Sequence, residues 1–334
     1  RFDSNLNSDL PLMFSFEEGA AVQASYKIYE QQAPWGTTYE FVDVGQYPQD
    51  YVGDTLNEKL KTWYQTTKPS SVDSYTVYNP TSSSSLASEK YITYYAYTYT
   101  DGKTYVRVPA TNVYGSDSKT YSNGETVADD VEAWFEVQPI KWRILTQEYN
   151  GGSLSYLMSE QTLASSCFYI DENASQANDY AKEDNYLRDY LTNVFYQDAF
   201  SSTDISRIVG RNLTESDLYP RTHSESTEVA LSDQKVFAPT YNDMLSYSFK
   251  DTTASDDARL KSPTDFTIAN YTLISTSASY PTIDRVNGGT GLYFLCSSGS
   301  SASYACHVGT DGFVSDIYVS STFAGVCPAL LFNL

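Results

Sequence analysis

Apolar and polar positions alternate along much of this chain, with helical spacing confined to a few stretches. Phe41-Val42-Asp43-Val44 and the residues to Gln49 read as a strand that ends at a Gly-Pro turn. Leu56, Leu60 and Trp63 stand four and three apart and predict a short amphipathic helix over 54–66. The Ser-, Thr- and Pro-rich stretch from Pro69 to Ser88 reads as an exposed loop. In 90–108 a period of two puts Tyr91, Tyr95, Tyr97 and Tyr99 on one strand face, and Asp101-Gly102 supplies a hairpin turn into a partner strand. Residues 131–145 read as two strand runs joined at Pro139, and Asn150-Gly151-Gly152 marks a further hairpin. The strongest helical pattern spans 181–199, where Tyr186, Leu187, Tyr190, Leu191, Val194 and Phe195 recur at steps of three and four, with Asp179 or Asp184 as its cap. A short strand and a helix capped by Thr240 or Asn242 follow, and 271–334 alternates short strands with Gly/Ser turns. The order of elements predicts an α+β fold with antiparallel strands and two main helices rather than a parallel βαβ fold. Residues 1–40 read as an N-terminal extension and 41–334 as a single domain carrying an aromatic β insertion at about 50–130.

The chain has 334 residues, of which 31 are Tyr and 15 Phe, and only 19% are charged, the balance of a folded protein. A net charge of −21 repels phosphate backbones and anionic lipid, so nucleic acid is not an expected partner. No run reaches the ~18 apolar residues of a membrane span, so membrane insertion is not expected. The start at Arg1 looks processed, and an acidic, Tyr-rich chain suits an extracellular or cell-surface location. Its four cysteines, Cys167, Cys296, Cys306 and Cys327, form no C-x-x-C pair, and an even count in an exported chain favours disulfides.

Six segments, in order, resemble a domain family of unknown function common in surface proteins of Gram-positive gut bacteria. They are GQYPQ at 45–49, WFEVQPIKWRIL at 134–145, DNYLRDYLTNVFYQDAF at 184–200, KVFAPTYNDM at 235–244, DDARLKSPTDFTIAN at 256–270 and the terminal strand–turn–strand that closes in GVCPAL. The resemblance implies a C-type-lectin-like fold, shared with formylglycine-generating enzymes. Two family arginines are Cys296 and Cys327 here, and their paired replacement implies neighbouring positions and a Cys296–Cys327 disulfide, with Cys167–Cys306 as the remaining pair. In formylglycine-generating enzymes paired cysteines hold a metal, so an oxidase of that type is a further reading, although the surrounding residues do not match that motif.

Little else points to catalysis. Cys306 and His307 are adjacent and point to opposite strand faces, and His223 lies in a polar loop. Adjacent acids such as Asp256/Asp257, Asp129/Asp130 and Glu17/Glu18 read as solvated turns. Asp171, Glu172 and Asp179 form the one acid set that calcium would accept, without EF-hand spacing; no cofactor is otherwise expected. Trp142, Arg143, Arg188, Arg259 and Asp265 sit in hydrophobic motifs and read as structural, with Arg188 pairing an acid of 256–265. The tyrosine stripe at 91–99 is the most binding-like feature, and the terminal loops add Tyr304, Tyr318 and Phe323. The leading expectation is recognition of a protein or glycan, as in adhesion; the rival is self-association into a surface filament or lattice.

Overall fold

A computed structural model describes residues 26–79, 90–115, 119–171, 173–174, 177–220, 230–247, 249, 256–275, 282–284 and 289–334. Two long strands organise it. β1 (Tyr29–Gln32) folds back on β2 (Thr38–Tyr51), and β2 runs antiparallel to β6 (Ala133–Thr146) along most of its length. The other side of β6 is shared. Its first half pairs with β5 (Thr104–Val108), which leads outward to β4 (Tyr91–Thr98) and β3 (Asp73–Tyr78). Its second half pairs with β7 (Ser155–Ser159), which leads by way of β18 (Ala329–Phe332) to β10 (Ile208–Val209). The nine-stranded sheet therefore forks at the middle of β6.

Pro139 sits at that fork without ending the strand. Its partner position, Gln46, follows a register shift in β2, and the Gln49 amide donates to the Gln138 and Pro139 carbonyls at 3.1 and 2.8 Å. The two strand runs expected on either side of Pro139 are thus one strand: a bulge in the partner accommodates the missing N–H.

Residues expected to form an extension and a loop belong to this sheet as well. β1 lies within residues 1–40 and β3 within 69–88. In β3, Tyr75, Val77 and Tyr78 are buried, and their apolar area outweighs the polar character of the flanking serines.

The expected helix at 54–66 is α1 (Asp54–Thr67), which lies over β4–β6. Trp134 and Phe135 are successive strand residues and take opposite faces: Trp134 packs with Leu60, Tyr97 and Tyr105 under α1, while Phe135 enters the main core. The second helix, α2, is built from Tyr186–Asp189, a π-helical turn at Tyr190–Phe195, and Tyr196–Ala199. Asn185, not Asp179 or Asp184, caps it, accepting from the Arg188 N–H at 2.9 Å. Thr240 caps the helix Tyr241–Leu245 as expected, within a capping box closed by Asp243.

The C-terminal strands form a five-stranded sheet in the order β16 (Val314–Tyr318), β15 (Tyr304–Val308), β14 (Tyr293–Ser298), β17 (Gly325–Val326), β9 (Ala164–Ser165). Two short pairs complete the strands: β8 (Gln161–Thr162) parallel to β13 (Ser262–Pro263), and β11 (Arg211–Leu213) antiparallel to β12 (Leu231–Gln234). The architecture is α+β, with mostly antiparallel sheets and few helices.

Candidate functional site

The expected tyrosine stripe is divided among different environments. Tyr97 and Tyr99 meet the α1 rings of Tyr64 and Trp63 at 5.1 and 5.2 Å. The Tyr91 hydroxyl donates to Asp189 on α2 at 2.6 Å, and Tyr95 is exposed. Two helices therefore divide that face, α1 taking Tyr97 and Tyr99 and α2 taking Tyr91.

The terminal aromatics are arranged differently. Tyr304 and Tyr318 are cross-strand partners on β15 and β16, with ring centres 4.5 Å apart and planes at 32°. Tyr318 is 49% exposed. Phe323 joins a separate group, stacked on Tyr114 at 4.5 Å, and Tyr114 meets Tyr271 edge-on at 5.2 Å.

A cleft of about 530 Å³ opens between β2, the start of β3 and the end of α2. Asp43, Asp73, Asp198 and Asp204 line it, and among the described residues no basic side chain does. Asp204 accepts from Tyr26 (2.7 Å) and from Ser201 (2.6 Å), and Asp43 accepts from the Tyr29 hydroxyl (2.7 Å). Asp198 accepts the Thr76 N–H at 2.7 Å and so occupies a backbone donor on the outer strand of the sheet. Burial, assisted by the Asp73 charge, pushes the Asp198 carboxyl up to about 6. Burial and the Asp204 hydrogen bond push the Tyr26 phenol up to about 12. Tyr75 forms the floor; it is 2% exposed, and its hydroxyl has no hydrogen-bond partner among the described residues. Local spacing could not reveal this site, because Asp43, Asp73 and the Asp198–Asp204 segment lie far apart in sequence.

A second charged cluster is sealed. Arg143 donates to both Glu160 oxygens, Nη2 to Oε1 at 2.5 Å and Nε to Oε2 at 2.8 Å, and to the Ala258 carbonyl at 2.6 Å. Lys261 adds a 2.9 Å bond to Glu160. Burial alone would raise the Glu160 carboxyl; the Arg143 and Lys261 charges and hydrogen bonds outweigh it and hold the group below its ordinary value. The other residues read as structural make these contacts. Trp142 donates to the Val44 carbonyl, Arg259 bonds the Gly312 carbonyl and lies 3.9 Å from Asp256, and Asp265 accepts from Tyr51 and Ser122 backbone N–H groups. Arg188 is the exception. Its guanidinium bonds the Lys182 carbonyl, six residues back, because its place in the first turn of α2 directs it to the preceding loop rather than to 256–265.

All four cysteines are free thiols, each buried. The expected Cys296–Cys327 and Cys167–Cys306 disulfides are not formed. β14 runs parallel to β17 with Tyr293 opposite Gly325, and that register, continued, sets Leu295 rather than Cys296 opposite Cys327. A slip of one residue reverses the face. Cys327 accordingly packs with Tyr293 and Leu295, and Cys296 with Phe294 in the main core. Cys167 bonds the Tyr78 hydroxyl at 3.5 Å, and Cys306 the Ser298 carbonyl at 3.1 Å. A metal held by Cys296 and Cys327 together would need both sulfurs on one side of the sheet. Burial raises the Cys296 and Cys327 thiols, which further disfavours thiolate chemistry.

In the loop considered for calcium, Asp171 accepts from the Asn173 N–H and Asp179 from the Ala181 N–H and the Tyr219 hydroxyl. Glu172 and His223 lie outside the described residues. Among the described residues no group of three or more His, Cys, Asp or Glu side chains is placed to hold a metal ion, and no helix is long and apolar enough to cross a membrane. Burial lowers the His307 imidazole. Comparison with protein-family models, curated proteins and solved structures finds no match.

Proposed function

We propose that this chain is a recognition module of a bacterial cell surface that binds a protein or glycan ligand. The observation that carries the reading is the Tyr304–Tyr318 pair, set in register on β15 and β16 with Tyr318 half exposed. A pair of phenols in contact, tilted by 32°, offers apolar area with polar tips, the chemistry that stacks on a sugar ring or anchors a protein interface. The six-segment resemblance to bacterial surface domains supports the location and a C-type-lectin-like arrangement of the terminal strands. Glycan-array and cell-binding assays of the wild type against Tyr318→Ala test it. We expect the substitution to cost about tenfold in affinity, as loss of one aromatic anchor does, without lowering the melting temperature. Equal binding by both proteins overturns the reading.

Self-association is the second reading, favoured by the position of β16 as the last strand of its sheet, with β15 on one side. Sedimentation over a hundredfold range of concentration separates the two. Oligomers that Tyr318→Ala disperses would replace ligand recognition as the role of this surface.

A further inference from the structure

The acidic cleft carries an inference independent of the aromatic pair. Four carboxylates line one cavity, to which the described residues contribute no cation. The Arg207 guanidinium stacks over the Tyr26 ring at 5.2 Å and its charge acts on that phenol, but it does not line the cleft. Asp43 and Asp204 accept from hydroxyl groups, whereas burial disfavours the charge of Asp198, which a bound cation would balance. Among the described residues the carboxylates are too dispersed for a metal ion, so the complementary ligand is larger. The lining also has an apolar side, Val44, Pro139 and Phe200, which suits an alkyl stem rather than a ring of hydroxyls. The second observation is Tyr75. It is 2% exposed and lines the cleft, the carboxylates acting on its hydroxyl are Asp73 and Asp198, and that hydroxyl has no hydrogen-bond partner among the described residues. A hydroxyl that opens into the cleft from an otherwise buried ring is a ready acceptor for an incoming N–H.

We propose that the cleft seats a primary ammonium on an alkyl chain, the chemistry of a lysine side chain of a partner peptide. The ammonium sits among Asp198, Asp73 and the Tyr75 hydroxyl, and the stem lies against Val44 and Phe200. Asp43 and Asp204 add negative potential at the rim, and the net charge of −21 steers basic partners toward the molecule. Binding needs Asp198 ionised. The groups that bear on it are Asp73 from β3, the Thr76 N–H that donates to it, and the phenols of Tyr47, Tyr75 and Tyr190, while Asp43 from β2 and Asp204 after α2 line the same cleft; none supplies positive charge.

The test titrates the full chain with acetyl-Gly-Lys-Gly-amide, the same peptide with norleucine for lysine, and glucosamine, by calorimetry or NMR. We expect saturable binding of the lysine peptide at pH 7.5 and a loss of roughly tenfold with norleucine, as for removal of one charge-assisted contact. Asp198→Asn should lose a similar factor, and Tyr75→Phe a smaller one. Neither should melt below wild type: the amide oxygen that replaces the Asp198 carboxylate still accepts the Thr76 N–H, and the Tyr75→Phe change removes only an unbonded hydroxyl. Binding should weaken from pH 7.5 to pH 5, one unit below the Asp198 value of about 6, where about a tenth of the group remains ionised. Tyr318→Ala should bind the lysine peptide as wild type does, which separates this site from the aromatic pair. Equal affinity for the two peptides, preference for glucosamine, no saturation by the lysine peptide, or indifference to both substitutions in the cleft overturns the proposal.

Discussion

At the scale of single residues, Glu160 shows how the protein retains a buried charge. Its side chain is 2% exposed and is held by two cations, Arg143 and Lys261, themselves 2% and 0% exposed. Glu160→Gln leaves both cations without a counter-charge, and we expect a loss of about 3–5 kcal/mol, the range for breaking a buried pair from one side, read as a fall in urea midpoint at unchanged m. The pH dependence follows from the direction of the shift. The folded carboxyl lies below its ordinary value of 4.5, so its contribution is complete above that value and disappears as pH falls through the lower folded one. The gap between wild type and variant should therefore narrow progressively as pH falls below 4.5. A gap that persists undiminished at pH 2.5 would mean that Glu160 acts through packing and not through charge. The role of Arg143 was legible because an arginine inside an apolar strand needs a partner. Its partner was not legible, because Glu160 lies across the sheet rather than along the chain.

At the scale of elements, the contact between β2 and α2 decides where the cleft lies. Gly45 adopts φ +68 at the bulge of β2, and a Cβ there would come within 2.5 Å of the Ala199 carbonyl and 2.8 Å of the Phe200 ring. Gly45→Ala must therefore strain the backbone and push the end of α2 away. We expect a cost of about 1–3 kcal/mol, together with weaker binding of any ligand in the cleft; a thermal melt of the variant matching wild type would contradict that geometry. The sequence shows this element well in part. GQYPQ and the Leu56–Leu60–Trp63 spacing locate β2 and α1 because burial on one face leaves a period. β3 escaped because Ser74 and Thr76 alternate with Tyr75 and Val77 in a segment already dominated by serine. The stripe at Tyr91–Tyr99 has the right period, but period does not say what covers a face: α1 takes Tyr97 and Tyr99, α2 takes Tyr91, and Tyr95 stays exposed. The acids of the cleft leave no local trace, because strand bulge, strand end and helix end are brought together only by the fold.

At the scale of the whole molecule, the question is whether covalent cross-links hold the terminal strands to the rest. One continuous core joins both large sheets: Tyr75 and Val106 from the forked arm share it with Phe294 and Val326 from the five-stranded sheet. A chain of 334 residues buries about three quarters of its unfolded surface, enough that disulfides are not required, unlike in small secreted domains. The four thiols pack in the interior as small apolar groups, Cys296 in this core and Cys306 and Cys327 in the smaller cluster around Tyr293 and Leu295, with all four, Cys167 included, at 0% exposure. Thiols in that state are neither cross-linked nor accessible. A thiol-reactive dye should therefore count four groups in 6 M guanidinium without prior reduction, and almost none in the native protein over an hour. The melting temperature should be the same with and without 5 mM dithiothreitol. A native disulfide would instead lower the denatured count to two and make the melt reductant-sensitive by about 2–4 kcal/mol. Because Leu295 and not Cys296 faces Cys327, forming that bond would require the β14–β17 register to slip by one residue, which would turn Tyr293 and Leu295 out of their cluster.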